Sequence, residues 1–133
     1  MENALQEKPV AAEPKTIILP ILAAGETYAG LILNEDGTPS HHVILLAGDG
    51  EKLTFKKAQK FATDAGGELP TRREQSLLFA NCKQHFKADW YWSGELSAPD
   101  SGYAWFQDFY YGNQTSNVLT GKLRARAVRR LPI

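Results

Sequence analysis

The sequence predicts an α+β fold in which two helices flank a small, twisted, antiparallel sheet. Short β-branched runs occupy the first 50 residues, two segments with helical spacing follow, and aromatic strand-like runs fill the remainder. Strands, then helices, then strands is an order typical of α+β folds with antiparallel pairing. We expect one domain over residues 16–133, with an N-terminal β meander at 16–50 and a core at 51–133.

Length and composition limit the classes of protein to which the chain can belong. It has 133 residues, 43% of them apolar and 23% charged, which suits one folded domain with its own core. Lysine plus arginine equals aspartate plus glutamate, so the bulk basic charge that dominates nucleic-acid binding is absent. No apolar run approaches the roughly 20 residues of a membrane span, and a single cysteine excludes an internal disulfide.

The first 15 residues are predicted to form a flexible tail. Two prolines, alternating charges and scattered apolar side chains cannot bury enough surface to offset the entropy of ordering. The segment lacks the basic start and the continuous apolar stretch of a secretory signal. We therefore expect the protein in the cytoplasm, and the same sequence would suit injection or packaging into a particle.

Three β-strands are predicted in the first part of the chain. The first is Thr16–Leu22, which is rich in β-branched residues. The others are Tyr28–Leu33 and His41–Ala47, separated by a turn at Asn34–Gly37 that ends in Asp-Gly, a pair that favours hairpins. Together they predict a small antiparallel meander.

Two helices are predicted in the middle of the chain. Between Thr54 and Ala65 apolar residues recur on one helical face, with Thr54 as the N-cap and two glycines to end the helix. The second helix begins after Thr71, which has the spacing of a capping box with Glu74. We expect this helix to fade between residues 83 and 86.

The last third of the chain is aromatic and rich in turns. Trp90–Ser93 and Tyr103–Tyr111 are predicted strands, and Leu123–Leu131 is predicted to close the chain as one further strand. Glycine and proline mark a loop at 95–102 and a turn at 112–113.

Five pieces of the sequence form a connected pattern in a fixed order. They are Gly67–Gln75 (GELPTRREQ), Tyr91–Ser93 (YWS), Tyr103–Trp105 (YAW), Gly112 and Arg126–Arg130 (RAVRR). The pattern, over about residues 53–131, resembles the C-terminal domain of the Legionella collagen-like protein, which many small phage and prophage proteins carry. The resemblance implies a C-type-lectin-like fold, close to that of formylglycine-generating enzymes and of retroelement-diversified phage receptor-binding proteins, with an aromatic-rich loop region that displays the ligand surface.

The sequence supports neither catalysis nor a metal site, and we expect no enzyme activity and no cofactor. His41 and His42 are neighbours on a strand and point to opposite faces, which disfavours one shared metal ion. Cys82 is alone on a helix, where cysteine is usually a buried small hydrophobe, whereas the related enzymes rely on a cysteine pair. Residues 98–100 (APD) match the calcium motifs of lectins with this fold only in part.

The preferred candidate binding surface is the aromatic and polar stretch Asp108–Asn117 (DFYYGNQTSN). Rigid tyrosines beside small hydrogen-bonding residues are the composition of adaptable binding loops. In the diversified lectin-fold proteins that the chain resembles, the amino-acid sequence varies in the corresponding loop. The candidate binding residues are Trp90, Tyr110, Tyr111, Asn113, Gln114, Ser116 and Asn117. The alternative is an ordinary polar hairpin whose tyrosines cover the core.

The basic end of the chain has two interpretations. Its cations are Lys122, Arg124, Arg126, Arg129 and Arg130. They either contact nucleic-acid phosphates or pair with Asp108 and with the acids of residues 1–50, a segment that carries seven acids against two lysines.

Three function classes follow from these features. The first is a non-catalytic binding module of phage or prophage type that recognises a protein, such as a host factor, or a glycan. The second is a nucleic-acid-associated or nucleoprotein-inhibiting protein that uses the basic end of the chain. The third is a component of a phage particle or a homo-oligomer that pairs through the Thr16–Leu22 edge. None of the three requires a membrane.

Overall fold

The computed structural model describes residues 16–133, so the predicted tail at 1–15 lies outside the described residues. Within this range the chain is α+β, with two helices and two sheets. The strands are β1 (Thr27–Leu33), β2 (Pro39–Leu45), β3 (Gly50–Leu53), β4 (Trp90–Leu96), β5 (Tyr103–Asp108), β6 (Gln114–Val118), β7 (Leu123–Ala125) and β8 (Val128–Pro132). The helices are α1 (Phe55–Asp64) and α2 (Arg72–Cys82).

The small sheet pairs two strands from the first part of the described chain with one strand from its last part. β1 and β2 form an antiparallel hairpin around the turn at Asn34–Gly37, where Gly37 has φ +87° and donates its N–H to the Asn34 carbonyl. This turn is confirmed. β8 pairs with the other edge of β2, so the sheet order is β1-β2-β8 and the third strand comes from the end of the chain.

Thr16–Leu22 is not a strand, and its prediction is wrong. The segment has no strand partner among residues 16–133, and Ile18 and Ile21 are 80% and 93% exposed. Its composition suits a pleated, half-buried surface, but a strand also needs a neighbour for its backbone groups. β1 and β8 are the outer strands of the small sheet, and the segment pairs with neither of them.

Both helices begin where the sequence predicts. The Thr54 hydroxyl accepts the N–H of Lys57 at the start of α1. At the start of α2 the Thr71 hydroxyl accepts the Glu74 N–H, and the Glu74 carboxylate accepts the Thr71 N–H. A 3-10 turn at Lys83–His85 follows α2, which matches the predicted fading.

The large sheet has the order β3-β7-β4-β5-β6. Its strands pair antiparallel except for β4 and β7, which run parallel with Tyr91 beside Arg124. The predicted sheet was purely antiparallel and is wrong at this pair. The reason is that the chain returns from the outer strand β6 and inserts β7 between β3 and β4.

Leu123–Leu131 is two strands rather than one, contrary to the prediction. β7 belongs to the large sheet and β8 to the small sheet, with Arg126 and Ala127 between them. The strict alternation of side chains between the two faces of one strand stops here, because Ala127 and Val128 are neighbours and both are fully buried. The Leu46 N–H donates to the Ala127 carbonyl, which ties the crossing segment to the end of β2.

The predicted strand Tyr103–Tyr111 ends earlier than expected. β5 stops at Asp108, residues 109–111 form a turn, and β6 returns along β5 as an edge strand. The sequence of β6, QTSNV, has few strand-forming residues, so propensity alone does not reveal it. β4 also extends to Leu96, into the predicted loop at 95–102.

Two hydrophobic clusters support these elements. One lies between the small sheet and α2 and includes the fully buried Cys82 and Tyr91. The other lies between α1 and the large sheet, where Phe55 meets Trp92 edge to face at 5.5 Å. The Trp92 indole N–H donates to the Leu53 carbonyl at 2.8 Å. No helix between residues 16 and 133 is long and apolar enough to cross a membrane.

Candidate functional site

A tight turn at Asp108–Asn113, here called the tyrosine turn, presents two aromatic rings to solvent. The Asp108 carboxylate accepts the backbone N–H groups of Tyr110 and Tyr111 at 2.7 and 3.1 Å. Tyr110 and Tyr111 are 59% and 79% exposed, and their rings meet edge to face with centroids 4.5 Å apart. The backbone that carries both tyrosines is therefore held by one side chain.

Phe109 and Gly112 anchor the tyrosine turn to the rest of the fold. Phe109 is buried and stacks on Phe86 with ring centroids 3.8 Å apart. Gly112 has φ +90°, and a Cβ at this position would lie 2.8 Å from the Phe79 ring, so the turn rests directly on α2. A preorganised turn reduces the entropy that binding must otherwise cost.

A stripe of α2 residues continues from the tyrosine turn along one side of the molecule. It consists of Arg72, Ser76 and Phe79. Residues at this spacing lie on one helical face. Gly112 contacts Phe79, and Gln114 contacts Arg72 and Ser76, so the turn and the α2 stripe are adjacent.

The seven predicted binding residues do not form one patch. Directly opposite residues of paired strands share a sheet face. Trp90 stacks on Phe106 at 4.5 Å on the α1 side, and Asn117 shares that side. Gln114 and Ser116 lie on the α2 side. The other three residues lie in the tyrosine turn between these faces: Tyr110, Tyr111 and Asn113.

The Gln114 side chain is occupied within the fold. Its carbonyl accepts the Arg72 Nε–H at 2.9 Å, and its amide donates to the Arg72 carbonyl at 2.8 Å. The same amide donates to the buried Gln107 side chain at 2.9 Å. Gln114 therefore positions Arg72 and does not project from the surface.

Arg72 is a candidate functional residue that the sequence analysis missed. Its guanidinium carbon lies 3.6 Å from the centroid of the Trp105 ring. The neighbouring Arg73 donates to the Leu33 carbonyl at 2.9 Å. None of the carboxylates between residues 16 and 133 lies within 4.0 Å of either guanidinium. The Arg-Arg pair was visible in the sequence, but its contact with Trp105 joins positions 33 residues apart.

Two of the C-terminal arginines pair with acids from the first half of the chain, as one interpretation predicts. Arg124 binds Asp49 at 3.2 Å, and Arg129 binds both oxygens of Glu26 at 2.9 Å. The hydrogen bonds from Arg129 lower the pKa of Glu26 to about 2. Asp108 is not a partner of these arginines, because its carboxylate holds the tyrosine turn.

The other two arginines turn inward. Arg126 donates to the carbonyls of His85 and Leu46, both at 2.6 Å. Arg130 binds Glu74 through two hydrogen bonds of 2.6 and 2.8 Å. Lys122 is exposed. The basic end of the chain thus offers little unpaired charge on its surface.

Glu74 lies at the centre of a buried polar cluster. It accepts hydrogen bonds from Arg130, from the Thr71 N–H at 2.8 Å and from His41 Nε2 at 2.8 Å. Burial opposes ionisation, but these hydrogen bonds and the Arg130 charge outweigh it and lower the pKa of Glu74 to about 2. The cluster joins α2, β2 and β8.

His41 and His42 point to opposite faces, as their adjacency predicts. His41 reaches Glu74, whereas His42 Nδ1 lies 2.7 Å from the Tyr28 hydroxyl. Between residues 16 and 133, no group of three or more histidine, cysteine or acidic side chains is placed to hold a metal ion.

The chain was compared with known protein families and with curated proteins. No family model matches it, and no curated protein matches it. The resemblance to the Legionella collagen-like protein domain therefore stays a prediction.

Proposed function

We propose that this chain is a non-catalytic protein-binding module of phage or prophage type, and that its partner docks on the tyrosine turn. The observation that carries the proposal is the pair of exposed tyrosines on a turn locked by Asp108 and anchored by Phe109. Tyrosine and arginine are enriched among the residues that dominate binding energy at interfaces. Rigid aromatic anchors on a preorganised backbone are also typical of matured binding loops.

We also propose that the fold is C-type-lectin-like. The support is the five-piece sequence pattern, two helices packed beside a sheet, and aromatic strands that lead into the tyrosine turn. In a C-type-lectin-like fold, the tyrosine turn would lie in the loop region near the end of the chain where the diversified lectin-fold proteins carry their ligand surface.

A protein partner is favoured over a glycan and over nucleic acid. The Tyr110 and Tyr111 rings meet at 83°, so together they do not offer one flat platform for a sugar ring. Nucleic-acid affinity grows with the number of phosphates that unpaired cations neutralise. Arg124 and Arg129 are already paired with acids, which weakens that alternative.

The proposal is tested by replacing both exposed tyrosines of the turn. The tagged full chain captures partners from a bacterial lysate with and without nuclease, and mass spectrometry identifies them. We expect a nuclease-resistant protein partner whose affinity falls at least about 30-fold in the Tyr110→Ala/Tyr111→Ala variant, because one interface hot spot contributes about 2 kcal/mol or more.

Tyr103→Ala is the matched control. Tyr103 is also an exposed tyrosine, but it lies at the opposite end of β5 from the turn, so its loss should leave capture unchanged. Unchanged capture by the double variant, with its fold intact, would show that the tyrosine turn is not the site. Nuclease-sensitive capture would instead favour the nucleic-acid alternative.

A second candidate function, self-association, is favoured by the exposed apolar segment Thr16–Leu22. Ile18, Leu19 and Ile21 are all largely exposed, and the segment pairs with no strand in the described part of the chain. β6 is an edge strand of the large sheet. Extended apolar segments and unpaired sheet edges are the elements through which chains pair.

Light scattering at high concentration checks this candidate. We expect a concentration-dependent rise in mass that is lost in the Ile18→Ser/Ile21→Ser variant, because the serines remove the apolar surface that association would bury. Ile133→Ser, at another exposed isoleucine, should leave the rise unchanged. A wild-type chain that stays monomeric at high concentration would rule self-association out.

A further inference from the structure

An open cleft lies at the start of α2, beside the tyrosine turn. It has a volume of about 340 Å³ and is lined by Arg72, Arg73, Ser76, Glu95 and Gln114. Arg72 and Phe79 are seven residues apart on α2, which places the cleft about 10 Å from the point where the turn rests on the helix. One protein partner of ordinary interface size spans that distance.

The Arg72 guanidinium is held in a fixed plane. One of its faces lies on the Trp105 ring, with 3.6 Å from the guanidinium carbon to the ring centroid. Its Nε–H is bound by the Gln114 carbonyl, and Gln114 is in turn held by the buried Gln107. The remaining edge of the guanidinium carries Nη1 and Nη2. Among residues 16–133, no hydrogen-bond acceptor lies within reach of either nitrogen.

The charges that face the cleft sum to an excess of positive charge. Among residues 16–133, Arg72 and Arg73 line the cleft together with one carboxylate, that of Glu95, and one Glu95 oxygen accepts the Arg72 backbone N–H at 2.7 Å. At the start of α2 the Thr71 hydroxyl accepts the Glu74 N–H and Glu95 accepts the Arg72 N–H, so an anion in the cleft does not compete for these two groups. Glu95 also repels a doubly charged anion more strongly than a singly charged one.

Three other arginines have the carboxylate partner that Nη1 and Nη2 of Arg72 lack among residues 16–133. Arg124, Arg129 and Arg130 each bind a carboxylate from elsewhere in the chain. An arginine fork matches the two oxygens of a carboxylate in geometry and charge. Stacking on an aromatic ring orients such a fork in advance and adds cation–π attraction.

We infer that the cleft at Arg72 and Arg73 is a carboxylate-binding site that receives an aspartate or glutamate side chain of the protein that docks on the tyrosine turn. The inference rests on the proposed function, because that partner supplies the carboxylate. Arg72 binds the carboxylate through Nη1 and Nη2, Arg73 adds a second positive charge, and Gln114 and Trp105 are positioning residues. The partner surface next to the turn is therefore acidic.

The site is tested on the full chain with a soluble probe, an N-acetylated and C-amidated hexaglutamate peptide, by NMR titration. We expect saturable shifts of the Arg72 Nε–H and Gln114 side-chain amide signals. Arg72→Gln should weaken binding at least about tenfold, because it removes both the fork and its charge. Arg72→Lys keeps the charge but loses the planar fork, and it should also bind more weakly than the wild type.

Lys56→Gln is the matched control, because it removes one positive charge from an exposed position on α1 that does not line the cleft. Equal weakening in Lys56→Gln would overturn the site in favour of general charge attraction. Inorganic phosphate that shifts the Arg72 signals at lower concentration than the peptide would overturn the assignment to a carboxylate. If Arg72→Gln does not fold, Arg72→Lys is compared with the wild type instead. Wild-type affinity in Arg72→Lys would overturn the role of the planar guanidinium in binding the carboxylate.

The two proposals fail in different ways. Capture that depends on Tyr110 and Tyr111, together with no shift at Arg72, overturns only the carboxylate site. A saturable shift at Arg72, together with capture that does not depend on the tyrosines, supports the site and overturns the tyrosine turn as the docking surface.

Discussion

Replacing Glu74 with glutamine is expected to lower the free energy of unfolding by about 3 kcal/mol, because it leaves the Arg130 charge without its buried partner. The Glu74 side chain is fully buried, and its two oxygens bind Arg130, His41 and the Thr71 N–H. Glutamine has one acceptor oxygen and an NH₂ group that faces the Arg130 donors. Denaturant unfolding of Glu74→Gln against the wild type measures the loss.

Glu68→Gln is the control for this prediction, because Glu68 contacts the same arginine from the surface. The Glu68 side chain is 71% exposed, so its ion pair with Arg130 is screened by water. We expect Glu68→Gln to cost less than about 1 kcal/mol. Equal losses in the two variants would mean that burial of Glu74 adds nothing to the stability of the pair.

The same carboxylate predicts a pH dependence with a definite sign. The folded pKa of Glu74, about 2, lies below its ordinary value of 4.5, so the unfolded chain binds the proton first as pH falls. The stabilisation is therefore complete above about pH 4.5 and is lost as the pH approaches 2; its size is about 3 kcal/mol. The stability difference between wild type and Glu74→Gln should shrink across this range, and a constant difference would contradict the assignment.

The Glu74 cluster also supports the candidate site. Glu74 is two residues from Arg72 on α2, and its hydrogen bonds join the start of the helix to β2 and β8. Binding groups keep their geometry when the elements that carry them are rigid. We therefore expect the Arg72 cleft to depend on this cluster even though Glu74 does not face it.

Gly67→Ala is expected to lower the free energy of unfolding by about 3 kcal/mol, because it forces the added atom against backbone. A Cβ on Gly67 would lie 2.2 Å from the Val128 carbonyl oxygen. The next residue, Glu68, exchanges two backbone hydrogen bonds with Val128, both at 2.9 Å, so the strand cannot move away without losing them. Thermal or denaturant unfolding checks the prediction.

Gly66→Ala is the matched control at the neighbouring position. Gly66 has φ +92°, but a Cβ there meets nothing within 4 Å, so the cost is only that of a left-handed backbone, about 1–2 kcal/mol. A smaller loss for Gly67→Ala than for Gly66→Ala would show that the close approach to Val128 is not a constraint. The sequence alone treats these two glycines alike, as the end of one helix.

Features that depend on neighbouring residues were predictable from the sequence. The N-cap at Thr54, the capping box of Thr71 with Glu74, and the hairpin turn at Asn34–Gly37 each act within a few residues. Their hydrogen bonds form wherever the chain is placed, so the pattern of residue types is sufficient. The tyrosine turn belongs to this group only in part: glycine and asparagine predict a turn at 112–113, but Tyr110 and Tyr111 were predicted in the strand before it, and β5 ends at Asp108.

Features that depend on distant partners were decided only by the tertiary structure. Thr16–Leu22 has the composition of a strand but no partner strand within residues 16–133, whereas β6 has little strand propensity and gains its ladder from β5. The Leu123–Leu131 segment divides because it must pair in two sheets. Arg72 becomes a candidate binding residue only through Trp105 and Gln114. Pairing and side-chain stacking are contacts between segments far apart in the chain, and residue order alone does not specify which distant segments meet.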